Sequence, residues 1–90
     1  MDITEARKNI DKIDEELIFL FEKRMKISAE IAQYKRENNL PVFDEKREIE
    51  ILKKIDATAE NELKIYTENL YKKIFEISRS YQDKLNRTEE

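Results

Sequence analysis

Apolar residues recur at heptad spacing along the first third of the chain, which predicts one long amphipathic helix. The spacing is that of a coiled-coil seam, with two rows offset by three residues. The rows are Ile3, Ile10, Leu17, Arg24, Ile31 and Asn38, and Ala6, Ile13, Leu20, Ile27 and Tyr34. With Asp2 and Glu5 as an N-terminal capping pair, the helix is predicted over about residues 4–38.

Arg24 interrupts this seam. A guanidinium among apolar side chains is costly unless an anion meets it there. Ser28 follows one turn later and Lys35 about three turns later, so both share its side of the helix. A polar residue that sets register, or a pair with a glutamate of the same helix, would explain Arg24 equally well on this evidence.

A second helix is predicted over residues 45–57. The first helix ends before Pro41, because proline disfavours helical geometry in the preceding residue and asparagine tolerates a left-handed cap. Asp44 is a good N-cap, and Ile51, Leu52 and Ile55 form the inward stripe. Glu48 lies one turn before that stripe, where it could pair with Arg47 or Lys35 or accept a hydrogen bond from a ligand hydroxyl.

A third helix is predicted over residues 61–85, with Thr58 or Asn61 as its cap. Its main apolar stripe has steps of three and four residues. The stripe comprises Leu63, Tyr66, Leu70, Ile74, Ile77, Tyr81 and Leu85. A second stripe beside it comprises Tyr71, Phe75, Ser78 and Gln82. The last two of these lie one turn apart and could be a surface pair.

Together these patterns predict one all-α domain over residues 1–90, with a long, a short and an intermediate helix. The composition agrees, with 43% charged residues, one Pro and no Gly. The first helix would be a rod of ~50 Å, longer than a compact chain of this size is wide. Its seam therefore requires a second chain, and an antiparallel or parallel homodimer is the simplest source.

Composition also restricts the chemistry. The chain has no Cys and no His, which removes thiol and imidazole nucleophiles and the common zinc and haem ligands, so no metal or cofactor is expected. A net charge of −3 with interleaved signs argues against a nucleic-acid partner. Since no membrane-spanning run or signal-peptide pattern is evident, the expected location is the cytoplasm.

The polar residues on the inward faces form a set rich in cations. They are Arg24, Ser28, Lys35, Asp44, Arg47, Glu48, Ser78 and Gln82. Such a set suits a small dianion that also carries a hydroxyl, because arginine binds carboxylates in bidentate geometry and lysine acts as a point charge. It lacks the activated nucleophile or the opposed carboxylates of a hydrolase.

Arg7 lies on the same flank of the first helix as Lys35, because both belong to one heptad row. Along a straight helix it is ~25 Å from Arg24, too far for both to hold one small molecule. In an antiparallel dimer with its twofold axis near Leu17 and Leu20, Arg7 of one chain falls between Arg24 and Lys35 of the other. This spacing predicts an antiparallel homodimer with a shared site.

The sequence resembles the all-helical class of chorismate mutases, which are intertwined homodimers of three-helix chains. The resemblance spans about residues 4–85 and is carried by ARKNIDKIDEELIFLFEKRMKISAEIAQYK, PVFDEKREIEIL and ISRSYQ. Each functional position of the family has an acceptable residue here. These residues are Arg7, Arg24, Lys35, Asp44, Arg47, Glu48, Ser78 and Gln82.

The resemblance implies the Claisen rearrangement of chorismate to prephenate, on the way to phenylalanine and tyrosine. It needs no proton transfer or covalent intermediate, and catalysis rests on conformer selection and charge stabilisation at the ether oxygen. By resemblance, the partner's Arg7 and Arg24 clamp the carboxylates, with Ser78 assisting. Lys35 and Gln82 donate to the ether oxygen. Glu48 and the Asp44 backbone hold the ring hydroxyl, and Arg47 supports the charge balance.

Two other functions are compatible with this scaffold. Lyases that split isochorismate into salicylate and pyruvate resemble the family and use a similar cationic pocket, although Glu48 and Ser78 favour the rearrangement. The other is a non-catalytic dimerisation module in which Arg24 and Asn38 set register. That function leaves Glu48, Ser78 and Gln82 unexplained.

Overall fold

Three α-helices form the protein in the computed structural model, which describes residues 2–88. They are α1 (Ile3–Glu37), α2 (Glu45–Thr58) and α3 (Lys64–Thr88), and a 3-10 turn (Asn61–Leu63) precedes α3. No strand occurs among the described residues, so the predicted all-α class with a long, a short and an intermediate helix is confirmed.

Side-chain and backbone caps fix both ends of α1. The Asp2 carboxylate accepts a hydrogen bond from the Thr4 amide at 3.0 Å. At the other end Asn39 adopts φ 54°, and the Leu40 amide donates to the Lys35 carbonyl at 2.8 Å. This is a Schellman arrangement, usually built on glycine, and the prediction that asparagine takes this role is confirmed.

The start and inward face of α2 follow the predicted pattern. Asp44 is the N-cap, and its carboxylate accepts a hydrogen bond from the Arg47 amide at 3.1 Å. Ile55 is buried, and Ile51 and Leu52 are half-buried. The apolar stripe thereby fixes α2 with Glu48, one turn earlier, facing the rest of the chain.

The predicted cap of α3 was wrong. Thr58 is the last residue of α2, and its hydroxyl donates to the Lys54 carbonyl at 2.7 Å. Ala59 and Glu60 then run in extended conformation, and Asn61 opens the 3-10 turn instead of capping α3. The Thr58 hydroxyl bonds within α2 because the two extended residues separate it from the backbone amides at the start of the 3-10 turn.

Helix α3 packs against both α1 and α2 through its second stripe. Phe75, Ser78 and Gln82 are buried, so the last two are not a surface pair. The main apolar stripe instead faces outward at its start, where Tyr66 is 68% and Leu70 54% exposed. The second stripe thus contains the fully buried residues of α3 among those described.

The chain is elongated and leaves much apolar surface uncovered. It measures 54 × 27 × 14 Å with a radius of gyration of 16.3 Å, against ~12 Å for a compact chain of this length. Ala32, Ile55 and Phe75 are the buried apolar side chains among residues 2–88, whereas Leu17 is 54% and Leu20 58% exposed on α1. In the part of the chain described, no helix is long and apolar enough to cross a membrane.

Candidate active site

A pocket of about 440 Å³ opens where α1, α2, α3 and the α1–α2 connector converge. Its walls combine charged, polar and apolar side chains. The lining residues are Arg24, Ile27, Ser28, Ile31, Lys35, Val42, Asp44, Arg47, Glu48, Ile51, Phe75, Ser78, Arg79 and Gln82. Its volume and mixed walls suit a small organic molecule with a few polar groups.

Seven of the eight predicted functional residues line this pocket. Those seven are Arg24, Lys35, Asp44, Arg47, Glu48, Ser78 and Gln82. Arg7 is not among the lining residues, and it lies exposed near the start of α1. The fold of one chain therefore brings together the predicted residues of all three helices without Arg7.

Helix α1 contributes two cations to the pocket wall. Lys35 donates from its Nζ to the Val42 carbonyl at 2.7 Å, which ties the connector to α1. Arg24 is half-buried, and within residues 2–88 it has no hydrogen-bond or ion-pair partner, so the intrahelix glutamate pair is excluded there. Its guanidinium remains available for an anionic ligand.

Buried hydroxyl and amide groups join α1 to α3. The Ser28 and Ser78 hydroxyl oxygens are 2.9 Å apart, and the Gln82 Nε2 donates to the Ser78 Oγ at 3.3 Å. Gln82 Oε1 is buried and has no partner among the described residues. Since a buried polar atom without a partner costs free energy, this amide is incompletely satisfied by the described residues of one chain.

Glu48 is paired with a residue that the sequence reasoning did not include. Its Oε2 accepts a hydrogen bond from Arg79 Nη1, and the guanidinium carbon of Arg79 lies 5.1 Å from the Phe43 ring centroid. The suggested pairing of Glu48 with Arg47 or Lys35 was wrong. Arg47 instead contacts Glu50 at 3.4 Å on the exposed side of α2, because adjacent helical residues point in different directions.

The pocket carries an excess of positive charge. Two carboxylates, Asp44 and Glu48, line it together with four cations. Those cations are Arg24, Lys35, Arg47 and Arg79. Because the Asp44 carboxylate caps α2 and Glu48 is paired, the remaining positive charge favours an anionic ligand.

The sequence reasoning missed Arg79 and the apolar part of the wall. Arg79 lies one turn after Phe75 and three residues before Gln82, so it flanks the second stripe of α3. That spacing could have placed it beside the site. Ile27 and Ile31 fit the heptad seam and Val42 the connector, and all three also line the pocket.

The sequence profile of type II chorismate mutases matches residues 6–83, a range that contains all eight predicted residues. The chain belongs to the type II chorismate mutase family. A bifunctional chorismate mutase/prephenate dehydratase of Aquifex aeolicus is 43% identical over 54 residues, which cover 60% of this chain and 15% of that protein. The T-protein of Haemophilus influenzae is 36% identical over 50 residues, which cover 56% of this chain and 13% of that protein.

The family match and the relatives differ in how much they cover. The type II chorismate mutase profile covers most of this chain, whereas the chain spans less than a sixth of either relative. No solved structure matches the chain at a significant level. Family membership consequently rests on the profile.

Proposed function

We propose that the protein is a chorismate mutase, which rearranges chorismate to prephenate in the biosynthesis of phenylalanine and tyrosine. The observation that carries this proposal is the pocket in which one chain assembles cations, a carboxylate and a buried amide from three helices. Membership of the family supports it, and so does the name of the Aquifex relative, which combines a chorismate mutase with a prephenate dehydratase.

Arg24 and Ser78 are the proposed ligands of substrate carboxylates within one chain. Arg24 has an uncommitted guanidinium, which can bind a carboxylate through two parallel hydrogen bonds. Ser78 lies at the pocket wall, and when Ser28 donates to its Oγ the single hydroxyl proton of Ser78 stays available for a carboxylate. These contacts would select the folded conformer in which the reacting carbon atoms approach each other.

Lys35 and Gln82 are the proposed donors to the ether oxygen, where negative charge develops as the C–O bond breaks. The ammonium of Lys35 has three donors, of which the Val42 carbonyl takes one. The Gln82 amide nitrogen carries two protons, and one of them is donated to Ser78 Oγ, so the other can be donated to the ether oxygen. Nε2 would thereby supply the second donor while Ser78 keeps its own proton for a carboxylate.

Glu48 and Asp44 are the proposed contacts of the ring hydroxyl. Arg79 engages Oε2 of Glu48, so Oε1 can accept from a ligand. The Asp44 side chain caps α2, and its backbone is the part proposed to face the hydroxyl. Arg47, exposed and paired with Glu50, is assigned the weaker role of supporting the positive field.

We further propose that two chains form an intertwined antiparallel homodimer and that Arg7 reaches the partner's pocket. The apolar rows of α1 and the first part of the main apolar stripe of α3 are exposed in one chain, as expected of surfaces that a second copy covers. Arg7 is ~25 Å along the helix from Arg24, so an antiparallel neighbour is needed to bring both to one ligand. The cytoplasmic location likewise stays a prediction.

The direct test is to supply chorismate to the purified protein and follow its consumption together with the appearance of prephenate. Arg24→Ala is the inactive comparison, because it removes one proposed carboxylate ligand from the pocket. Turnover by the wild type and its loss in Arg24→Ala are expected. Absence of turnover contradicts the proposal, and release of pyruvate from isochorismate at a higher rate would favour the lyase.

A further inference from the structure

Arg79 is a charged residue of the pocket to which the proposed reaction assigns no role. Its guanidinium donates to Glu48, which links α3 to α2, and it also lies over the Phe43 ring of the connector. The two paired side chains are partly buried, with 34% of Arg79 and 21% of Glu48 exposed. Arg79 is thereby held on two sides at the edge of the pocket.

We infer that Arg79 is a positioning residue that orients Glu48 for the ligand hydroxyl. A glutamate side chain has three rotatable bonds, and a helix alone does not fix its carboxylate. Because Arg79 binds Oε2, the carboxylate is held with Oε1 left to accept from the ligand. This inference rests on the proposed function and adds a residue to it.

Phe43 completes the arrangement by restricting Arg79. The planar guanidinium can stack on an aromatic ring while its edge donates to a carboxylate, whereas a lysine ammonium cannot reproduce both contacts. Phe43 is 53% exposed, so the stacking contact is weaker than the buried part of the ion pair. Phe43→Leu should therefore have a smaller effect than Arg79→Gln, in the same direction.

The experiment is a double-mutant cycle on the full chain, assayed with chorismate. The variants are Arg79→Gln, Glu48→Gln and the combination, with Arg79→Lys as the conservative replacement. If Arg79 acts through Glu48, Arg79→Gln lowers kcat/KM by up to ~10²-fold because the carboxylate is misplaced. In the Glu48→Gln background the same change has an effect below about threefold, and Arg79→Lys retains more activity than Arg79→Gln.

Lys73→Gln is the matched control, because Lys73 forms an exposed ion pair with Glu76 at 3.2 Å and does not line the pocket. It should keep wild-type kcat/KM. Thermal unfolding and oligomer size are measured for every variant, so that a loss of folded protein is separated from a loss of catalysis. If Arg79→Gln does not fold, Phe43→Leu takes its place in the cycle.

Three results would overturn the role of Arg79. One is wild-type kcat/KM in Arg79→Gln, and another is a full, additive loss in the Glu48→Gln background, which would mean that Arg79 contacts the ligand directly. The third is a partial loss of activity that disappears once turnover is expressed per amount of folded protein. Absence of turnover in the wild type would instead overturn the proposed function, so the two failures are distinguishable.

Discussion

At the scale of single residues, Gln82 combines burial with incomplete hydrogen bonding. Its Nε2 contacts Ser78, while its Oε1 has no partner among the described residues. Because Nε2 carries two protons, it can keep its hydrogen bond to Ser78 and donate the second proton to a ligand. The amide can donate without a change of protonation, which suits a reaction that transfers no proton.

Gln82→Ala is predicted to lower kcat by ~10² to 10³, the usual effect of losing a donor to a developing negative charge. Steady-state turnover of chorismate measures this effect. Gln33→Ala is the matched control, because Gln33 is an exposed glutamine of α1 that contacts Glu37. If both variants turn over like the wild type, Gln82 is not an ether-oxygen donor.

Arg24→Leu separates an enzyme from a dimerisation module. Leucine restores the apolar heptad row, so the thermal stability should stay equal or rise, while the loss of the anion contact should reduce kcat/KM by roughly 10²-fold or more. Both quantities are measured on the same preparation. A more stable variant with undiminished turnover would contradict the proposed role of Arg24.

Helical spacing was sufficient to place most of the polar lining residues of the pocket on inward faces. Ser28 and Lys35 share a face with Arg24, and Ser78 and Gln82 lie one turn apart, so each helix could be treated separately. The partner of Glu48 could not be obtained this way, because its contact with Arg79 depends on how α2 packs against α3. The spacing of apolar residues also does not show which of the two stripes on α3 is buried within the chain.

At the scale of elements, the helix ends depend on short-range chemistry. Asp2, Asp44 and Asn39 occupy the caps expected from their side chains and backbone preferences. Thr58 did not cap α3, since a threonine at a helix end can bond back to its own helix as well as forward. Boundaries marked by a specific cap were therefore predictable, whereas the 3-10 entry to α3 was not.

Asn39 provides a test at this scale. Its left-handed conformation should make Asn39→Ala less stable by ~1 kcal/mol, because a Cβ without a local hydrogen-bonding group is disfavoured at positive φ. Asn39→Gly should be as stable as the wild type or more so. Denaturant unfolding at one protein concentration measures both. Equal stability of the alanine and glycine variants would contradict this explanation of the turn.

At the scale of the whole molecule, the long helix α1 and the small buried core leave much apolar surface uncovered in one chain. A 35-residue helix extends across the 54 Å long axis, and its apolar rows are largely uncovered. The heptad pattern predicted this rod and its need for a partner. Which surfaces a partner would cover depends on three-dimensional packing, which is why the two stripes of α3 were not distinguished from the sequence.

Leu20→Lys should separate the proposed dimer into chains without activity, because it places a charge in the middle of the exposed seam. Ile49→Lys is the matched control: Ile49 is 44% exposed on α2, outside the α1 seam, and should tolerate the charge. Sedimentation velocity and chorismate turnover are measured together. A Leu20→Lys protein that keeps the size and activity of the wild type would contradict the seam as the interface.

Subunit complementation tests most directly whether each pocket is completed by a second chain. Arg7→Ala and Arg24→Ala are purified separately, each with greatly reduced turnover, then unfolded, mixed in equal amounts and refolded. In a twofold dimer half of the mixed dimers would be heterodimers, each with one intact site, so turnover should recover to about a quarter of the wild type. Activity that stays at the average of the two single variants would contradict a site shared between antiparallel chains.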